Sequence, residues 1–183
     1  MVLEGNNALI GIDCGASKVL IQSAKINSNR TIISKGQYCK EYVYSSHPDW
    51  DPSYLPIPLD GQIEENNNKS ILISKAERRQ GDIIVKLLQD IIENISGSQI
   101  GICFPGIKDD YGVTILANGP RIPKLLTRLS NVDTLYNDSD CCITGEMVSD
   151  IGKMNDIYNG IYIGGGTGIA DGILLDGKII NLN

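Results

Sequence analysis

Three short segments place polar groups where a phosphate or a hydroxyl could be handled. In the first, Asp13-Cys14-Gly15-Ala16-Ser17-Lys18, a carboxylate follows the apolar run 8–12. A carboxylate at the end of a buried strand lies at a sheet edge, not in the core. Gly15 lets the chain turn tightly, and the amides after it can point into a concavity that suits an anion. Asp13 could hold a hydrated Mg2+, an ion that keeps several waters and takes few carboxylates. An ordinary hairpin with a turn aspartate explains this segment equally well.

The second segment is Gly164-Gly165-Gly166-Thr167-Gly168. Such a run lets backbone approach a phosphate, and Thr167 adds a hydroxyl. A dinucleotide-binding turn would need a helix after the glycines. Instead residues 169–177 read as a strand and a turn, and Asp171 stands where the last glycine of GxGxxG would be. No GxxxxGK[ST] occurs, so a P-loop is excluded. The third segment, Asn137-Asp138, lies at a strand-to-helix junction, where the helix N-terminus stabilises a carboxylate as the anion. Phosphoryl transfer tolerates such a base, because its transition state is loose and the base mainly positions the hydroxyl. A plain helix cap is the competing reading.

The elements that must position these groups follow from periodicity. Residues 8–12, 19–26 and 31–38 read as three strands of an antiparallel meander, with Asn27-Ser28-Asn29 as a turn. Residues 45–70, with four prolines between Pro48 and Pro58, read as a surface loop, and Glu64 to Asn68 as its solvated tip. Ser74 and Glu77 form a capping box for a helix. Ile84, Leu88, Ile91 and Ile95 continue it at helical spacing, backed by Ile83, Leu87 and Ile92. Gly81 weakens its first turns, and Gly97 stops it. Strands are expected at 99–104, 112–116, 132–136 and 157–163, and helices at 123–129 and 138–151. Asp176-Gly177 closes a final hairpin between 169–175 and 178–181. The strand, glycine turn and strand that open the chain thus recur near residue 160.

Composition narrows the partners. The chain has 183 residues, is 42% hydrophobic and carries a net charge of -6. That suffices for one core, or one domain and part of a second. No Lys/Arg cluster shows in the linear sequence, which argues against nucleic acid. No apolar run approaches the ~20 residues of a membrane span, and no signal peptide opens the chain; a cytoplasmic protein is expected. The five cysteines include no CxxC pair, and there is one histidine, His47, in a loop-like stretch, so no zinc site is expected. Cys14 and Cys103 sit in strand-like runs as buried free thiols. A homo-oligomer is compatible with the sequence.

Taken in order, these segments resemble the ROK family of sugar kinases and sugar-responsive repressors. Residues 10–18, IGIDCGASK, are similar to that family's opening IGIDxGGTK hairpin. Gly101 to Asp109 followed by Gly112-Val113 resembles its GxPGxxD…GxV element, and Ala117-Asn118 its APN segment. Residues 137–146 resemble its NDANAAALGE helix, and residues 166–179 its second glycine hairpin. Ala16-Ser17 and Ala170-Asp171 depart from the family pattern, and Asp171 would repel phosphates if it faced them. The resemblance spans nearly the whole chain outside 45–70.

The resemblance implies an α/β, actin-like (ribonuclease H-like) ATPase lobe with a mixed sheet and flanking helices over 1–153. Residues 154–183 would begin a second lobe and stop after its first hairpin. It implies ATP-dependent phosphorylation of a sugar hydroxyl, with Asp138 as the base and Asn118, Asn137 and Asp138 at the sugar. Asp13, Gly15, Ala16, Ser17, Lys18, Gly166, Thr167 and Gly168 would grip the nucleotide, with Mg2+ at Asp13 through water. A non-catalytic sugar-binding or scaffold relative is the alternative. The family's ExGH sugar motif and its cysteine-rich zinc motif are not found in these 183 residues. A fragment of a longer kinase, inactive alone, is therefore expected.

Overall fold

The computed structural model describes residues 9–29, 31–95, 99–165 and 169–180. The opening meander forms as expected: β1 (Leu9–Cys14), β2 (Lys18–Ile26) and β3 (Ile33–Val43) pair antiparallel. The third strand runs to Val43, beyond the expected 38. β4 (Gln99–Phe104) then pairs parallel to β1, and β7 (Leu135–Asn137) parallel to β4. The five-stranded mixed sheet has the order β3-β2-β1-β4-β7.

Alternation along these strands decides what lies on each face. Ile10, Ile12 and Cys14 of β1, Val19 and Ile21 of β2, and Ile102 and Phe104 of β4 are buried. Helix α2 (Lys75–Asn94) supplies Ile84, Val85, Leu88, Ile91 and Ile92 to the same core. Each such side chain removed from water contributes ~2 kcal/mol, so this face fixes the register. The helix is continuous through Gly81, a buried position where an added Cβ would lie 3.3 Å from Ile122 Cγ1.

Ser74 caps α2 as expected, accepting the Glu77 N–H at 3.1 Å. The Glu77 carboxylate, however, is 1% exposed and engages Arg121: Oε1 accepts Nε–H at 2.8 Å and the Arg121 backbone N–H at 3.0 Å, and Oε2 accepts from Nη2 at 3.0 Å. Arg121 Nη1 also donates to Glu65 Oε2 at 2.6 Å.

That contact belongs to a helix where a loop was expected. Residues 45–70 contain a short 3-10 turn, Tyr44–Ser46, and helix α1 (Leu59–Asn67). The segment Glu64–Asn67, expected as a solvated tip, is the end of α1. Its buried residue is Gln62, whose Nε2 donates to Ile57 O at 2.8 Å and Leu116 O at 3.2 Å while Oε1 accepts Leu116 N–H at 2.8 Å. Polar contacts therefore anchor α1, and an apolar period has nothing to report.

Between these parts, β5 (Ile107–Lys108) and β6 (Val113–Ile115) form a small hairpin closed by Asp109, whose Oδ1 accepts the Tyr111 and Gly112 N–H groups, each at 2.8 Å. The expected helix near 126 is a 3-10 turn, Leu126–Arg128. A second, antiparallel sheet holds β8 (Gly160–Gly165), β9 (Ile169–Leu175) and β10 (Lys178–Ile180). Asp176 and Gly177 turn the last hairpin with φ of 51° and 72°. Helix α3 (Asp138–Val148) lies against β9 through buried Ile143, which an added Cβ on Gly172 would meet at 3.0 Å. No helix among the described residues is long and apolar enough to cross a membrane.

Arg121→Met would leave Glu77 buried and unpaired. The expected loss is ~3–5 kcal/mol, read from the urea midpoint; a loss below ~1 kcal/mol would show that the cluster does not hold the fold. Arg121 keeps the Glu65 carboxyl below its ordinary range. Its stabilisation is complete above the unfolded value near 4.5 and is lost as pH falls through the lower folded value. Glu65→Gln should therefore flatten the acid limb of the stability profile.

Candidate functional site

Because Ile12 and Cys14 point into the core, Asp13 between them must face the other side of the sheet. The same holds for Cys103 between Ile102 and Phe104. The parallel register places Asp13 beside Cys103, and the Cys103 thiol donates to Asp13 Oδ1 at 3.3 Å. Cys103 is thus a half-buried group on the open face, not the core thiol expected, whereas Cys14 is buried. The next strand adds Tyr136 beside Cys103 and Asn137 beside Phe104. Three parallel strands, β1, β4 and β7, therefore end together at Cys14, Phe104 and Asn137, with Asp13 one residue before the end of β1. Open α/β sheets bind ligands beyond such carboxyl ends.

The turn after β1 is held by backbone. Gly15 N–H donates to Lys18 O at 2.8 Å, and Tyr44 N–H donates to Ser17 O at 3.0 Å. Tyr44 is buried and stacks on Trp50, with ring centroids 5.8 Å apart. Ala16 and Ser17 stand at the rim. Lys18 Nζ pairs with Glu41 at 2.7 Å, so its ammonium is directed along the sheet surface.

Asn118 is brought to the same turn. Its exposed residue takes φ 62°, and an added Cβ on neighbouring Gly119 would lie 3.6 Å from Ala16 Cα. The segment 116–121 is clamped at both ends, by Gln62 on Leu116 and by Glu77 on Arg121. Sequence patterns show neither clamp: Gln62 lies in a stretch without apolar periodicity, and Glu77 reads as half of a capping box, with its arginine partner 44 residues away.

Asn137 caps α3: its Oδ1 accepts Ser139 N–H at 3.0 Å. Asp138 is the first helical residue, half-buried, with Oδ1 2.9 Å from the same N–H. Both the capping reading and a position at the strand ends therefore hold at once. Lys108, missed in the sequence, completes the rim. Its Nζ donates to Phe104 O at 2.8 Å and Gly106 O at 2.7 Å. Burial lowers its pKa, while the Asp138 charge pulls it the other way. A lysine two residues after a Pro-Gly turn was the available signal.

Gly166, Thr167 and Gly168 lie outside the described residues. The strands flanking them pair up to Gly165 and Ile169. Asp171 is exposed in β9, and Gly172 next to it faces α3; alternation sends Asp171 to the opposite side. An exposed carboxylate such as Asp13, without two further acidic, cysteine or histidine partners among the described residues, suits a mostly hydrated Mg2+ and not a closed metal cage.

A cavity of about 630 Å3 lies elsewhere, on the outer side of α2, lined by His47, Asp49, Lys75, Arg78, Arg79 and Lys86 among others. The spacing that gathers these basic residues, with Asp49 and Asp82 among them, is helical, so they do not form a run in the linear sequence. His47 Nδ1 accepts the Asp49 N–H at 3.1 Å.

No protein-family model and no curated protein sequence matches the chain. Solved structures do. A ROK family glucokinase from Streptomyces griseus, in complex with glucose and AMPPNP, superposes with TM-score 0.55 at 18% identity, covering 94% of this chain and 46% of that one. A Listeria monocytogenes protein described as an N-acetylmannosamine kinase gives 0.55 at 17%, covering 94% and 49%. A ROK family transcriptional regulator, a homologue of the E. coli MLC protein, gives 0.54 at 14%, covering 96% and 38%. The chain spans about half the length of the two kinases, 46% and 49%. The likeness shows the fold, that of the actin-like ATPases.

The Pro105-Gly106 turn sets where β4 ends. Gly106 has φ 81°, and a Cβ there would lie 2.0 Å from Ile115 O, whereas a Cβ on Gly101 meets nothing within 4 Å. Gly106→Ala should cost more than ~2 kcal/mol, and Gly101→Ala should stay within ~1 kcal/mol of the parent, both by denaturant titration. Equal effects would mean that the turn yields without strain.

Proposed function

We propose that this chain provides the nucleotide- and sugar-gripping lobe of an ATP-dependent sugar kinase, glucokinase-like in accepting a hexose or amino sugar, acting in the cytoplasm. The observation that carries the reading is that Asp13, near the carboxyl end of β1, and Asp138, just beyond that of β7, lie at the same end of one parallel set, with β4 between them. It is supported by a fold shared with a glucokinase solved with glucose and AMPPNP.

In this reading Asp138 takes the proton from the sugar hydroxyl, and Asn137 and Asn118 orient neighbouring hydroxyls. The Asn137 oxygen is occupied as a cap, which leaves its amide hydrogens to donate. In the turn Gly15 to Lys18 the Gly15 N–H is held by Lys18 O, so the N–H groups of Ala16 and Ser17 serve the phosphates from one side, and those of Gly166, Thr167 and Gly168 from the other. Residues 1–153 form the first lobe, and 154–183 begin the second. Mg2+, held by Asp13 through water, supplies charge neutralisation on the phosphates when bound. The likeness to a ROK regulator favours one alternative, a non-catalytic sugar-binding or scaffold relative.

Coupled ADP-release assays on the intact protein over hexoses and N-acetylated amino sugars test the reading. Asp138→Asn should lower turnover about 10²–10⁴-fold while ATP affinity by calorimetry stays within about twofold. Unchanged turnover in that variant removes Asp138 from the base role. Sugar binding by the parent without ADP release favours the non-catalytic relative. The 183 residues alone are expected to show little turnover, because a kinase must close both lobes on its ligands to exclude water.

A further inference from the structure

The cavity on the outer side of α2 has two anchored walls. One is the helix itself. Lys75, Arg79, Asp82 and Lys86 recur at spacings of four, three and four, so they form one stripe, with Arg78 beside it. Ile84, Leu88 and Ile91 hold the opposite side of α2 in the core, and that turns the stripe outward. The other wall is the turn 47–49. His47 N–H donates to Tyr44 O and Trp50 N–H to His47 O, each at 3.0 Å, and the buried Tyr44 stacks on Trp50. Because His47 Nδ1 accepts the Asp49 N–H at 3.1 Å, the ring proton stands on Nε2, which is left as a donor.

Most of the positive charge here is uncompensated. Asp82 pairs with Arg128, which lies outside the cavity lining, at 2.7 Å. Asp49 approaches Arg79 only to 4.0 Å, with both side chains mostly exposed, a contact that contributes little. Lys75, Arg78 and Lys86 have no ion-pair partner among the described residues. Their placement also works against the helix. A helix favours acidic groups in its first turn and basic ones in its last. α2 opens with Lys75 and Arg78, followed by Arg79, and has no basic residue in its last turn. The one acid of the first turn, Glu77, is buried and engaged by Arg121. Lys75 and Arg79, like charges four residues apart, repel each other. An anion in the cavity removes both penalties at once.

We propose that this cavity binds a small ligand carrying at least two phosphate groups. Its volume, about 630 Å3, is that of a small-molecule site. Lys75, Arg78 and Arg79 gather within about one turn, and Lys86 lies ~10 Å beyond Arg79 along the helix axis. A phosphate held by the first three therefore leaves Lys86 for a second. The arginines offer planar forks that match phosphate oxygens, and His47 adds a donor from the facing wall. Pro48 and Ile83 also line the cavity and give an organic body an apolar surface. Duplex nucleic acid asks for a long basic face, and Asp49 and Asp82 interrupt this one. Because α2 covers the side of the sheet away from Asp13, helix and sheet both stand between the cavity and the strand ends. The site stands on these contacts whether or not the chain is a kinase.

The test is isothermal calorimetry on the intact protein at ~0.15 M salt, with tripolyphosphate, a hexose bisphosphate and orthophosphate as probes. Tripolyphosphate or the bisphosphate should bind about tenfold or more tighter than orthophosphate. The tighter of the two tells a phosphate chain from an organic bisphosphate. Arg78→Gln should weaken that binding about tenfold. Lys86→Gln should weaken it by a similar factor while leaving orthophosphate affinity unchanged. Without ligand, Arg78→Gln should keep or raise the urea midpoint, since it removes a charge that opposes the helix dipole. Lys86→Gln keeps the result readable if Arg78→Gln folds poorly. The proposal is overturned if no probe binds at millimolar concentration, if orthophosphate binds as tightly as both larger probes, or if both variants keep the parent affinity. It is also overturned if a duplex oligonucleotide binds through Arg78 and Lys86 more tightly than either probe.

Discussion

Everything at the candidate site depends on the period-two alternation of β1 and β4, locked by their parallel register. Burying Ile12, Cys14, Ile102 and Phe104 against α2 leaves Asp13 and Cys103 no choice of face. A slip of one residue in either strand would turn a carboxylate into the core and an isoleucine into water. Several kilocalories of apolar burial therefore hold two polar groups in place that contribute little to stability themselves. Extension of the parallel set to β7 carries the same constraint to Asn137 and, through the helix it caps, to Asp138.

A second clamp is polar. Arg121 is 1% exposed and is satisfied by Glu77 from α2 and Glu65 from α1, with Leu72 O accepting from Nη2 at 3.2 Å. Buried ion pairs seldom add net stability, yet removing one partner is costly. Here the arrangement ties three segments to the stretch 116–121, which carries Asn118 to within reach of the Gly15–Ser17 turn. A charged centre demands one geometry, where an apolar one would accept several. That suits a loop whose position relative to another loop matters more than its contribution to folding.

Most of the fold was legible, for physical reasons that differ between elements. α2 announced itself because Ile84, Leu88 and Ile91 recur at helical spacing, and the last hairpin because Asp176-Gly177 favours positive φ. α1 was not legible. Its single buried residue is Gln62, its apolar Leu59 and Ile63 are largely exposed, and prolines precede it. The Ser74 and Glu77 pattern predicted a reciprocal cap, but a buried arginine 44 residues on competed for the carboxylate and won. Asp13, Asn137 and Asp138 stood out by residue type at strand and helix ends, and Asn118 by motif order. Lys108, the Cys103 contact with Asp13 and the basic cavity on α2 were not, because each depends on register or on a helix face that brings distant residues together.

The second sheet bears on the objection that Asp171 would repel phosphates. Gly172 faces Ile143 of α3, and buried Leu174, two residues on, shares that side of β9. Strand alternation therefore sends Asp171 to the other side, with its cross-strand partner Ile163 and with Ile161, 74% and 68% exposed. Asp138 heads the helix on the Gly172 side. A carboxylate on the far face, separated from that helix by the thickness of the sheet, has no direct line to the end of α3 where the other polar groups gather. Replacing a glycine by Asp171 thus changes the outer surface of β9 and leaves the α3-facing surface, set by Gly172, as it was.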